Sequence, residues 1–286
     1  MRTPSRLAGA LPFLALLLLI GLGLPGHPAL AAPPALLEEL RYRLVVLSIQ
    51  DAARITLTLN RLGPGRFVAE IIGEPQGLIK LLSGDQRERL QTEMVWRNNR
   101  LLPLIYREES WRRGKRRLKE YRFNYSRGRL ELWEWRAGKG LSKKWQTDLS
   151  HQVYDPLSAF YNCRLGIIGP TREGETSAIQ GIPYPRPETM EVRLGAESQD
   201  GRQVMVSLIN PVFKDSQGVV FANVDNQLVP HQAWTTVSGI TIRGVLLPES
   251  VIMGPGLAGL KAPGLAASRR PPVKDPPATA ARGEQR

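Results

Sequence analysis

The chain has one cysteine, Cys163, among 286 residues. An intramolecular disulfide is impossible, so the fold must rest on its own apolar core. Cys163 itself reads as a buried small hydrophobe rather than a reactive thiol. Histidine is almost as scarce: His27, His151 and His231 are the whole set. Zinc sites draw on clustered Cys and His, and this spacing offers none. No Gly-x-Ser-x-Gly elbow occurs. Ser150-His151 and Ser158 are therefore only neighbours or near neighbours in sequence, which is not triad geometry. Gly21 to Gly26 and Gly254 to Gly259 both match Gly-x-Gly-x-x-Gly. Neither follows a strand and opens a helix, as phosphate cradling requires. No internal repeat is present. These absences predict a protein that is not an enzyme and carries no cofactor and no metal.

What the chain does have begins with an address. Arg2 and Arg6 precede an apolar run from Leu7 to Leu24, and Pro25-Gly26 breaks it. Ala29-Leu30-Ala31 then offers small residues at the positions a signal peptidase reads, which predicts cleavage after Ala31. Residues 1–31 are thus expected to be a signal peptide and the mature chain to be periplasmic. The alternative is an uncleaved anchor, but Pro12, Gly21 and Gly23 interrupt the run. No cysteine follows for a lipid anchor, and the two arginines are not adjacent as a twin-arginine signal needs. Cleavage leaves 255 of the 286 residues and lowers the formal net charge from +13 to +11, since only Arg2 and Arg6 are lost. From Gly254 to Arg286 the chain is rich in Gly, Pro, Ala and Arg, with few core-forming residues. This segment is expected to be a disordered basic tail. A β-rich domain is left over 32–253.

Alternation dominates that domain. Leu40, Tyr42, Leu44 and Val46 share one face of a strand; Ala53, Ile55, Leu57 and Leu59 share one face of the next. The period of two returns at Phe67-Ala69-Ile71, Leu102-Leu104-Tyr106, Tyr121-Phe123-Tyr125, Met190-Val192-Leu194, Val204-Val206-Leu208 and Ile240-Ile242. Turn signals separate the runs: Gly63-Pro64-Gly65, Asn98-Asn99, Gly114-Lys115, Ser126-Arg127-Gly128 and Asp200-Gly201. Short connections favour a curved antiparallel meander, an open or half-closed barrel. Gln76–Leu82 has room for a turn or two of helix. Asp155–Leu165 is the better helix: Asp155 caps it, Pro156 takes the first position, and Leu157, Phe160 and Tyr161 fall on one face. Phe160 and Tyr161 are both expected to be packed against the sheet.

Asp155-Pro156-Leu157-Ser158-Ala159-Phe160-Tyr161-Asn162-Cys163-Arg164 resembles the Asp-x-x-Ser-x-aromatic-Tyr-x-x-Arg stretch of a bacterial periplasmic envelope family catalogued as domain of unknown function 3108. Asp155, Ser158, Tyr161 and Arg164 carry the resemblance, which would extend over roughly Leu40 to Glu249. It implies an exported, β-rich envelope domain and brings no activity with it. Read from their positions alone, Asp155 and Arg164 stand at opposite ends of the helix. Each is expected to pin it to neighbouring strands rather than to the other.

The strongest surface feature is basic. Residues 107–129 hold ten basic and three acidic side chains. Arg112, Arg113, Lys115, Arg116, Arg117 and Lys119 cluster around a turn and are candidate contacts for an anionic envelope surface. Trp133, Trp135 and Trp145 follow closely. The bland reading is a solubilising tip that discourages edge-to-edge pairing. A nucleic-acid partner conflicts with export. Glu108-Glu109 cannot share an acid–base task, because adjacent side chains of a strand point to opposite faces. The function expected from these features is non-enzymatic binding of an apolar or lipid-like ligand on the concave face of the sheet. The alternative is a structural or assembly partner of other envelope proteins; a hydrolase is disfavoured by the missing motifs.

Overall fold

The computed structural model describes residues 34–83, 86–182, 186–207, 218–237 and 239–252. The expected signal segment 1–31 and tail 254–286 lie outside them. Among the described residues there are fifteen strands and two helices: β1 (Ala35–Val46), β2 (Ile49–Gly63), β3 (Arg66–Pro75), α1 (Gly77–Ser83), β4 (Arg87–Arg97), β5 (Arg100–Arg112), β6 (Lys115–Asn124), β7 (Arg129–Arg136), β8 (Gly140–Asp148), α2 (Pro156–Arg164), β9 (Thr176–Gly181), β10 (Glu188–Ser198), β11 (Gly201–Ser207), β12 (Val219–Val224), β13 (Pro230–Val237), β14 (Ile240–Leu246) and β15 (Val251–Ile252). The protein is mainly β, as the alternation predicts.

All the strands join one antiparallel sheet in the order β8-β7-β6-β5-β4-β3-β2-β1-β14-β13-β12-β11-β10-β9, with β15 beside the start of β1. Two meanders, β1–β8 and β9–β14, are therefore stitched edge to edge by β1 and β14. The two free edges, β8 and β9, are consecutive in the chain, and the segment between them carries α2. The sheet does not close there. That segment lies on the edge of β9 instead: Tyr154 donates its N–H to Gln180 O at 2.9 Å, and Ile182 N–H donates to Tyr154 O at 2.9 Å.

The inner face is built from one set of alternating residues. Leu40, Leu57, Leu59, Phe67, Ala69, Leu90, Met94, Tyr106, Tyr121, Phe123, Leu130 and Leu132 are all buried around Leu157, Tyr161 and Leu165 of the helical segment. Tyr106 stacks on Tyr121 with ring centroids 5.6 Å apart, and Trp145 meets Tyr121 edge-on at 6.2 Å. Burial at about 25 cal/mol per Å² of apolar surface makes this cluster the main stabilising element of a fold without disulfides.

Three local expectations need correction. The hairpin between β5 and β6 turns at Arg113-Gly114, one residue earlier than Gly114-Lys115. Both turn residues have positive φ, 49° and 73°, the backbone pattern that matches strand twist in a two-residue hairpin. Next, Leu102, Leu104 and Tyr106 do not share a face. The β4–β5 register slips between Glu93 and Met94, so Leu104 is the extra residue of a bulge. Leu101 and Pro103 then continue the inner face of Tyr106, and Leu102 turns outward. Phe160, finally, is only half-buried, whereas Tyr161 has no exposed surface.

One inner-face acid is far from its ordinary state. Glu88 on β4 is 4% exposed. Burial pushes its carboxyl from 4.5 up to about 9; the hydrogen bond from Gln86 opposes this, nearby Glu108 adds to it, and Lys119 opposes it. In the folded chain Glu88 thus keeps a proton that the unfolded chain releases. It adds no pH-dependent cost below about pH 4.5 and destabilises increasingly as pH rises towards 9. Glu88→Gln should stabilise the protein by about 2 kcal/mol near pH 8 and change little near pH 4. Urea unfolding at both pH values checks this; an equal pH response in variant and wild type would contradict it.

Candidate apolar ligand site

The helix α2 is fixed by polar contacts that begin with its cap. Asp155 Oδ1 accepts from the N–H of Leu157 at 2.9 Å and of Ser158 at 3.1 Å, and Ser158 Oγ accepts from Asp155 N–H at 3.1 Å. This reciprocal cap satisfies N–H groups that the first turn leaves unpaired. Asp155 Oδ1 also accepts from Thr92 Oγ1 on β4 at 2.6 Å, which ties the helix start to the sheet. Burial raises the Asp155 carboxyl above its usual range, while Thr92 and Ser158 pull it back.

Asn162 fixes the middle. Its Oδ1 accepts from Leu101 N–H at 3.0 Å and its Nδ2 donates to Leu101 O at 2.8 Å. The β5–β6 pairing runs only as far as Ile105–Arg122. The amide of Asn162 takes the place of the missing strand and satisfies a buried stretch of backbone. Sequence reasoning passed over Asn162, because an amide among variable motif positions carries no signal until its backbone partner is known.

Arg164 fixes the end. Its Nη1 donates to Glu38 Oε1 on β1 at 2.5 Å, and side-chain exposure is 4% and 1% for the two residues. Its Nε donates to Gln227 O at 3.4 Å, and its guanidinium lies over the Phe160 and Tyr161 rings at 5.3 and 5.9 Å. Tyr161 stands between them, with burial and Glu38 raising its hydroxyl pKa well above the ordinary value. Asp155 and Arg164 thus bind different strands, β4 and β1, and do not meet. Glu38 was also missed: it falls on the apolar face of β1, in phase with Leu40, and nothing in β1 alone announces a distant arginine.

So held, α2 packs on one side of the curled sheet and leaves space on the other. One cavity of about 290 Å³ lies between Ala159, Phe160, Cys163 and Arg164 and the inner face of β9–β13, including Ile179, Met190, Val192, Leu194, Val204, Val206 and Ala222. A second, of about 350 Å³, lies between Leu157 and Phe160 and strands β1–β4 and β11–β14, including Leu44, Ile71, Val220, Ala233 and Ile242. Pro156, Phe160, Val206 and Pro230 line both. Apart from Trp234 at the second cavity, the side chains that β11–β13 present here are small. Val204, Val206, Val220, Ala222 and Ala233 all stay half-exposed, whereas most inner-face residues of β1–β7, Tyr42 and Ile71 beside the second cavity excepted, are buried. Cys163 looks into the first cavity, and burial pushes its thiol up to about 12, so it remains protonated and weakly nucleophilic.

The other candidate residues lie elsewhere. His151, Ser150 and Asp148 line a cleft of about 340 Å³ at the open seam, with Trp145, Gln180 and Arg186. All three are exposed, and no hydrogen bond joins His151 to Ser150 or Asp148 among the described residues. His231 stands on β13 beside Gly201. No group of three or more metal-ligating side chains occurs among the described residues. Of the six basic tip residues, Arg116 pairs with Glu109 and lies between the Trp111 and Trp135 rings at 6.0 and 5.7 Å, and Lys119 pairs with Glu108 at 2.9 Å. Arg112, Arg113, Lys115 and Arg117 are exposed and make no ion pair among the described residues. Trp133 is covered by Arg122 at 4.5 Å, and Trp145 turns inward. The ring faces of Trp133 and Trp135 are thus met by the chain's own arginines.

Fold and site define a class: an open, antiparallel, barrel-like sheet curled around a single buried helix, with apolar space between them. The sequence model of the family described as "Protein of unknown function (DUF3108)" matches residues 39–200, and the chain belongs to that family. The matched region contains α2 and all four motif residues, whereas β11–β14, which wall much of the cavities, lie beyond it. Among solved structures the chain is similar to a beta-barrel-like protein of domain of unknown function DUF1849 from Brucella abortus, at 9% identity and a TM-score of 0.44, over 74% of this chain and 96% of that one. No curated protein matches.

Proposed function

We propose that this domain holds an apolar or lipid-like molecule between α2 and the concave face of β10–β14, as a binding protein that performs no chemistry on it. The observation that carries this reading is the half-exposed middle of the inner face of β11–β13, at Val204, Val206, Val220, Ala222 and Ala233. A sheet face of Val and Ala normally packs on something. On this side α2 supplies only Ala159 and Cys163, which pack with Ile179, Met190 and Val192, and the two cavities are lined almost wholly by apolar side chains. Their volumes lie just below and just above the lower limit of the roughly 300–1,000 Å³ typical of ligand pockets. The setting we propose is the periplasm, on the strength of the leader at residues 1–31, where lipids and their fragments are available as cargo.

The test is displacement of an apolar dye. The full chain should enhance the fluorescence of N-phenylnaphthylamine saturably. Val206→Trp fills the space common to both cavities and should abolish the enhancement, while its unfolding free energy changes by less than about 1.5 kcal/mol. Equal enhancement by a stable Val206→Trp would contradict the proposal.

The exposed cations of the β5–β6 tip support an accompanying contact with anionic membrane. Each is worth about 1 kcal/mol near such a surface. Changing Arg112, Arg113 and Arg117 together to Gln should weaken binding to anionic vesicles in a chain ending at Met253, and raising the salt should weaken wild-type binding, because the Debye length shrinks from about 10 Å at 0.1 M to about 3 Å at 1 M. Salt-independent binding to neutral and anionic vesicles alike would reduce the tip to a solubilising surface.

A further inference from the structure

We infer that the molecule held in these cavities is a single-chain amphiphile with a monoanionic carboxylate head, and that Arg164 receives the head; this rests on the apolar-cavity reading above. Among the described residues that line the two cavities, Arg164 is the sole ionised side chain. It stands at the wall of the first cavity only, so the combined space, as far as the described residues line it, has one charged end and one end without charge. A guanidinium has five N–H donors. Here Nη1 serves Glu38 Oε1 and Nε serves Gln227 O, and no described residue accepts from Nη2. The flanking Phe160 and Tyr161 rings hold the guanidinium in place without consuming its donors.

The balance of charge selects the head. Glu38 already offsets Arg164, so the site offers unused donors with little net charge. A dianionic phosphate would bring excess negative charge beside the Glu38 carboxylate in a poorly solvated place, at high cost. A carboxylate brings one charge and matches the planar geometry of guanidinium donors. The space selects the tail. Phe160 stands where the two cavities meet, and its ring is only half-buried, unlike that of Tyr161. A single acyl chain with its head at Arg164 can run past Phe160 and Val206 towards Ala233 and Ile242 in the second cavity.

The test compares palmitate with hexadecanol and methyl palmitate, which share its chain but carry no charge, on the delipidated full-length protein by calorimetric titration. Palmitate should bind about tenfold more tightly than either, as expected for charge-assisted hydrogen bonds in a desolvated site. In Glu38→Gln/Arg164→Met, which removes both charges together, that preference should disappear. Equal binding of all three ligands by the wild type overturns the assignment of the head and leaves the cavity reading standing. Retention of the preference in the double variant overturns Arg164 as the receiver. Displacement of palmitate by dioleoyl phosphatidylglycerol at equal concentration overturns the single-chain assignment. If none of the three ligands binds, both this inference and the cavity reading fall.

Discussion

Arg164→Met should destabilise the protein by about 3–5 kcal/mol, because it leaves the Glu38 carboxylate buried without its partner. Glu38 is 1% exposed in its side chain and Arg164 is 4% exposed. Removing one charge of such a pair forfeits the attraction and keeps the desolvation cost of the other. Removing both removes both sides of that account. Glu38→Gln/Arg164→Met should therefore recover to within about 1–2 kcal/mol of the wild type. Urea unfolding of the wild type, the single variants and the double variant closes the cycle. If Arg164→Met costs less than about 1 kcal/mol, the pair does not hold α2 to β1, and the description of the helix end is wrong.

The second large effect is at Tyr161. It has no exposed surface and packs among the residues of the main core. Tyr161→Ala should cost about 3–5 kcal/mol, the range for deleting a fully buried aromatic side chain. Phe160→Ala, one residue away, should cost only about 1–2 kcal/mol, because its half-buried ring meets Tyr161 and Arg164 on one side and borders open cavity on the other. The contrast is the informative quantity. Sequence spacing places both rings on one helical face and predicts equal burial. The structure divides them, since Tyr161 faces the filled half of the barrel and Phe160 the empty half. Equal costs in denaturant unfolding would mean that the space beside Phe160 is closed.

Much of the architecture is legible in the residue pattern. The alternation at Leu40–Val46 and Ala53–Leu59 marks β1 and β2 because one face of each strand is apolar and the other polar. The capped helix is legible because Asp155, Pro156 and Ser158 are local in sequence. Strands such as β4, β7 and β8 were not found. In β4 the inner positions are Glu88, Leu90, Thr92 and Met94, so two of four inward side chains are polar and the period is masked. In β7 the outward Trp133 and Trp135 read as apolar, yet Arg122 and Arg116 cover them from β6. The bulge at Leu104 reverses the phase within β5, which no fixed period can anticipate. The site was less legible than the fold. The four motif residues and Asn162 lie in one short stretch, but their key partners Thr92, Leu101 and Glu38 come from strands at least 60 residues away. The cavity is a property of what β11–β13 omit, namely large inward side chains, and an omission has meaning only once the sheet order is known.

The relation between motif and cavity gives the domain its logic. Asp155 and Ser158 build the cap, Tyr161 fills the core, and Arg164 ends the helix on β1. Together with Asn162 they hold α2 against β3–β5, so that only Ala159 and Cys163 meet the β9–β11 side. The rigid half of the molecule thereby keeps the other half open. A helix free to settle towards the small side chains of β11–β13 would close the space.

Native mass spectrometry of the full chain purified from the cells that make it, under conditions that preserve non-covalent complexes, tests the central claim most directly. The account predicts a population heavier than the polypeptide by the mass of one amphiphile, released on collisional activation and missing from Val206→Trp prepared in the same way. A wild-type spectrum showing only the bare polypeptide mass, or the same adduct on Val206→Trp, would contradict it.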